Sequence, residues 1–107
     1  RPLRGAAPHA VLVAAVHCPP SGGPALLLTG STKGVIRCYS LDFFDKGKEL
    51  RGHTRAVLAL VGHTPAEGGP LGGVDLALSA SADNSVRVWD ARAGACLLIL
   101  AHRGMVH

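Results

Sequence analysis

The sequence predicts an all-β chain made of two copies of a four-stranded antiparallel unit, and three observations carry that prediction. First, "LLLTGSTKGVIRCYS" (26–40) lies over "LALSASADNSVRVWD" (76–90) at a constant offset of 50 residues. Thr29 falls on Ser79, Ser31 on Ser81, Arg37 on Arg87 and Tyr39 on Trp89. Second, "ELRGHTRAVLAL" (49–60) overlies "LILAHRGMVH" (98–107), with His53 against His102 at an offset of 49. Two landmarks recurring at nearly one spacing mark an internal repeat. Third, 48% apolar residues with 14 Gly and 7 Pro suit short strands joined by many turns.

The first unit reads as strands over 11–17, 25–30, 35–40 and a weaker 48–51. The second reads as strands over 56–61, 75–80, 85–90 and 95–100. These are typical strand lengths. "ADNS" (82–85) separates the middle strands of the second unit, and its Asp and Asn tolerate the left-handed backbone of a tight hairpin. "ARAG" ends in Gly94 and closes the next turn. "CPPSGGP" (18–24) and "HTPAEGGPLGG" (63–73) both fall between a first and a second strand. Pro cannot donate to a ladder and Gly weakens one, so both segments read as extended hairpin loops.

Composition narrows the function classes. The formal net charge is +4, and the basic residues are scattered along the chain without a cluster of five or six. Contact with acidic partners is compatible with this, while nucleic-acid binding is not called for. Charged residues make up only 17% of the chain, which suggests a surface that meets more protein. Cys18, Cys38 and Cys96 lack C-x-x-C spacing and predict reduced, mostly buried thiols in a cytoplasmic or nuclear protein. No apolar run reaches the roughly 18 residues that span a bilayer, so no membrane partner is expected. The histidines do not form a metal-binding spacing, and no motif calls for a cofactor or a metal.

The pair Gly52-His53 and the later Trp89-Asp90, with "SASADNSVRVWD" leading into it, resembles the WD40 repeat family. The resemblance covers nearly the whole chain from about Val11. It implies an incomplete β-propeller of four-stranded antiparallel blades. Residues 1–53 would form a degenerate repeat, 54–101 a well-formed one, and 102–107 the start of a third. Two blades cannot close a ring, so the chain is expected to be part of a longer protein, with the remaining blades among its partners; an oligomer of short chains is the alternative. The resemblance further implies a structural hydrogen-bond network of His53, Ser79, Asp83 and Trp89. By period two, Ser81 points to the same face as Ser79. In the first unit Lys33 stands in place of Asp83 and Tyr39 in place of Trp89. That blade should lack the network and rely on Leu26, Leu28, Val35 and Ile36.

The family implies a non-catalytic scaffold that binds protein or peptide partners on a rim. Matching rim positions are Thr32, Thr54, Arg55, Ala82 and Arg103, and the two arginines favour an acidic or phosphorylated partner. The alternatives are a substrate-recognition segment of a multidomain ubiquitin ligase or other enzyme, and an RNA-binding propeller. Ser79, His53 and Asp83 also form the trio of a serine hydrolase, but no G-x-S-x-G elbow accompanies them. No catalytic residue is therefore expected in this chain.

Overall fold

The computed structural model describes residues 10–20, 22–41 and 47–101. They form eight strands and no helix. β1 (Val11–His17), β2 (Leu26–Ser31), β3 (Ile36–Ser40) and β4 (Lys48–Leu50) make one antiparallel sheet in sequence order. β5 (Val57–His63), β6 (Leu76–Ser81), β7 (Ser85–Asp90) and β8 (Ala95–Ala101) make the second in the same order. The two sheets are consistent with two propeller-like blades. They remain two separate four-stranded sheets, not a closed barrel. Among the described residues no helix is long and apolar enough to cross a membrane.

Turn chemistry sets the strand ends. Asn84 has φ 68°, and Gly34, fifty positions earlier, has φ 86°. Both hairpins thus need the left-handed region at the same point, which Asn tolerates and Gly enters freely. Gly34 has a second constraint. A Cβ there would come within 2.5 Å of the His53 carbonyl oxygen and 2.7 Å of that of Arg55. The β2–β3 turn of the first sheet therefore rests on the backbone leading into the second. At the far end of β7, Asp90 accepts hydrogen bonds from the Arg92 and Ala93 N–H groups, closing the β7–β8 turn.

Both sheets share one register. Arg37 pairs with Glu49 across β3 and β4, and Arg87 pairs with Ile99 across β7 and β8. Both first strands carry a bulge one residue after their start, between Val11 and Val13 and between Val57 and Ala59. The core lies between the sheets. Leu26, Leu28, Ile36, Cys38 and Leu50 come from the first sheet, and Val57, Leu60, Ala77, Trp89 and Ala91 from the second. We call the covered face of sheet 1 its trailing face, and the face of sheet 2 that covers it the leading face. Gly30 permits this approach, because a Cβ there would lie 2.7 Å from Val57 Cγ1. The four first-unit residues expected to carry that sheet, Leu26, Leu28, Val35 and Ile36, are all buried.

The cysteine expectation needs correction. Cys38 is buried in the core, but Cys18 and Cys96 are exposed. Cys18 follows β1 in the loop, and Cys96 lies on β8, which among the described residues is an outermost strand of its sheet. An apolar run on an edge strand is not an interior run.

Candidate functional site

The structure brings His53, Ser79, Asp83 and Trp89 together at one end of sheet 2. His53 lies in the segment joining the sheets, Ser79 on β6, Asp83 in the β6–β7 turn and Trp89 on β7. The Trp89 indole N–H donates to Ser79 Oγ at 2.9 Å. Ser79 Oγ lies 2.7 Å from His53 Nε2. His53 Nδ1 lies 2.9 Å from Asp83 Oδ2. Donor counting orders the chain: Ser79 donates its one hydroxyl proton to Nε2, leaving Nδ1–H to face the carboxylate. Trp89 and Asp83 are therefore its two ends. Of the two serines on this face Ser79 joins it, while Ser81 donates to the Arg55 carbonyl and accepts from the Asp83 N–H.

Two further groups complete the cluster. Ser85 Oγ donates to Asp83 Oδ1, and Oδ2 also accepts the Thr54 N–H at 3.0 Å. Burial alone would raise the Asp83 carboxyl. The hydrogen bonds from Ser85, the Thr54 N–H and His53 outweigh it and hold the group well below the usual carboxylate range. Asp83 thereby ties the β6–β7 turn to the start of the second unit. Ser85 has no counterpart in the first unit, where Val35 stands at its position. Only that substitution within the repeat hinted at its part.

The trio Ser79–His53–Asp83 has the hydrogen-bond order of a hydrolytic triad, but it is built to hold a turn. Ser79 is 2% exposed and its oxygen already accepts the indole proton. A reacting carbonyl has no approach to it. Among the described residues no group of three or more His, Cys, Asp or Glu is placed to hold a metal ion.

The first sheet holds its matching turn differently. Ser31 Oγ accepts the Lys33 and Val35 N–H groups at 3.2 and 3.1 Å, a local loop of bonds with no carboxylate. Lys33 points outward and is exposed.

Four of the five rim positions lie at the same end as the network. Thr32 is in the β2–β3 turn, Thr54 and Arg55 precede β5, and Ala82 is in the β6–β7 turn. Thr54 and Arg55 are exposed, whereas Thr32 and Ala82 are half-buried. Backbone bonds fix the turns: Thr32 N–H to the Ala10 carbonyl and Ala82 N–H to the Ala56 carbonyl, each at 3.0 Å. Among the described residues neither Lys33 nor Arg55 has an acidic partner, so two cations face solvent at this end. Arg103 and the matched His102 lie outside the described residues, as does the expected third unit, 102–107.

At the opposite end a polar chain crosses between the sheets, and sequence reasoning missed it. His17 at the end of β1 donates from Nε2 to Thr64 Oγ1 at 2.7 Å. Thr64 donates to Asp75 Oδ1 at 2.7 Å, and Arg92 pairs with Asp75 Oδ2. Arg92 then reaches back to the Pro24 carbonyl of the first sheet. Burial would raise the Asp75 carboxyl, but hydrogen bonds from Thr64 and Arg92, with the charges of Arg92 and His17, hold it below its ordinary value.

No protein-family model matches the sequence, and no curated protein is significantly similar to it.

Proposed function

We propose that this chain supplies two WD40-type blades of a β-propeller that acts as a non-catalytic scaffold for protein or peptide partners. The observation that carries the reading is the Trp89–Ser79–His53–Asp83 chain, which holds the rim-forming turn and the segment between the blades in one fixed arrangement. Buried polar networks of this kind, fully satisfied, rigidify the structure around them. A rigid rim pre-organises exposed side chains, which lowers the entropy cost of binding. The residues proposed to meet a partner are Thr32, Thr54, Arg55 and Ala82, with Arg103 added from the repeat alignment. Lys33 and Arg55 favour an acidic or phosphorylated peptide.

The test is binding of the immobilised chain to acidic, phosphorylated and basic peptide sets. Acidic or phosphorylated peptides should be retained, and Arg55→Glu should weaken them by about tenfold or more, the equivalent of one lost charge-assisted contact. Retention indifferent to Arg55 and Lys33 contradicts the assigned rim. Retention of RNA that weakens steeply with salt, without peptide binding, contradicts the protein-partner reading.

A further inference from the structure

The leading face of sheet 2 packs on the trailing face of sheet 1 without closing on all of it. Where the β7–β8 turn meets β2, β3 and β4, a cavity of about 460 Å³ remains between the sheets. Strand register places its first wall. Leu26 pairs with Ser40, and Cys38 with Lys48, so all four side chains share the trailing face. Leu26 and Cys38 are buried and apolar, and the fully buried Ala91 faces them from sheet 2. Among the described residues no acidic side chain lines the cavity.

Three polar groups stand around this apolar floor. Ser40 occupies the position that Asp90 holds in the second unit. Asp90 accepts the Arg92 and Ala93 N–H groups. The Ser40 Oγ, by contrast, is buried at the cavity with no hydrogen-bond partner among the described residues. A buried hydroxyl in that state costs free energy until a partner completes it. Lys48 also lines the cavity, and among the described residues its ammonium has no acidic partner. Its stem is held across the sheets by the β7–β8 turn: a Cβ at Gly94 would lie 2.8 Å from Lys48 Cγ and Cδ. Arg92 binds Asp75 through Nε and the Pro24 carbonyl through Nη2, which leaves the Nη1 donors unused among the described residues. Asp75 matches the charge of Arg92, so the unmatched charge at the cavity is that of Lys48.

We propose that this crevice binds a small organic monocarboxylate, its oxygens taken by Ser40 Oγ, Lys48 and Arg92 Nη1 and its apolar body laid on Leu26, Cys38 and Ala91. The volume falls in the range of small-molecule sites, which pair an apolar lining with a few convergent polar groups. A single negative charge answers the single unmatched cation, whereas a phosphate dianion would bring one charge too many. The inference goes beyond the scaffold reading. It uses no rim residue, so either reading can fail without the other.

Titration of the ¹⁵N-labelled 107-residue chain with sodium hexanoate, followed by its amide signals, tests it. The signals of Ser40, Lys48, Ala91 and Arg92 should shift together and saturate at low-millimolar hexanoate, as expected for a ligand of about eight non-hydrogen atoms. Hexanol and hexylammonium should bind at least about fivefold more weakly, and hexyl phosphate no more tightly than hexanoate. Lys48→Gln and Ser40→Ala should each weaken hexanoate about five- to tenfold. Ser40→Ala should also leave the urea midpoint unchanged, because its oxygen has no partner among the described residues to lose; its effect on binding is then not an effect on folding. Shifts that do not saturate by about 50 mM, or that spread over the other lysines and arginines, overturn the proposal. So does hexanol that binds as well as hexanoate, hexyl phosphate that binds more tightly, or an affinity that neither substitution changes.

Discussion

Replacing Ser79 by Ala removes one oxygen that serves two buried partners. The Trp89 indole N–H loses its acceptor and His53 Nε2 loses its donor. The Trp89 and His53 residues are 1% and 6% exposed, so water does not readily replace the lost bonds. Each buried polar group left without a partner costs about 1–3 kcal/mol, which for the two groups puts the substitution at about 2–6 kcal/mol. Against the 5–15 kcal/mol typical of a folded domain, that is a large fraction. The assay is urea unfolding followed by far-ultraviolet circular dichroism, which also permits a double-mutant cycle with Trp89→Phe. With no indole donor present, the Ser79→Ala cost should fall to about 1–3 kcal/mol, giving a coupling of about 1–3 kcal/mol. A cost below about 0.5 kcal/mol, as at an ordinary surface position, would refute the reasoning. Strict additivity in the cycle would refute the shared-oxygen assignment.

Three other outcomes are expected. Thr64→Val breaks the chain from His17 to Asp75 and should destabilise by about 1–2 kcal/mol, while Asp75→Asn in the Thr64→Val background should cost less than in wild type, as measured by urea unfolding. Asp83 carries a depressed folded pKa, so its stabilisation is complete above its unfolded value near ~3.9 and is lost as pH falls through that value towards the lower folded one. Thermal unfolding should therefore show Asp83→Asn to be less stable than wild type at neutral pH, with a gap that narrows below about pH 4. Ile99→Glu would place opposite Arg87 the carboxylate that Glu49 places opposite Arg37, and should raise stability by about 0.2–1 kcal/mol in low salt, an effect that added salt removes.

Legibility in the sequence tracked how local the cause was. β7 falls on the expected 85–90 because both its ends are set locally, by Asn84 in the turn before it and by its own last residue, Asp90, which accepts from the turn that follows. β5 runs to His63, two residues beyond the expected 61, because Gly62 and His63 still find partners in Ala77 and Leu76. Gly62 also meets the His17 side chain of the other sheet, a reason for glycine that no local pattern reveals. The four network residues could be named from the repeat and the resemblance together. Ser85 could not be, because its only sign was a mismatch with Val35. The His17–Thr64–Asp75–Arg92 chain was invisible for a plainer reason. Thr64, Asp75 and Arg92 stand in segments flanking the strands of sheet 2, and His17 of sheet 1 joins them only after the sheets pack, so no spacing along the chain encodes the whole contact. The exposed Cys96 follows the same logic: an edge strand and an interior strand can share one composition, and only strand order separates them.

The central claim is that sheet 2 is locked to the segment before it through a buried indole-to-carboxylate chain. Trp89 is the sole tryptophan, so its indole N–H gives a single nuclear magnetic resonance signal. That proton should exchange with solvent orders of magnitude more slowly than a free indole, and it should show dipolar contacts to Ser79 and His53. In Ser79→Ala the protection should drop sharply while the backbone signals of sheet 1 stay in place. An indole proton that exchanges at the free rate in the folded wild-type chain would contradict the account.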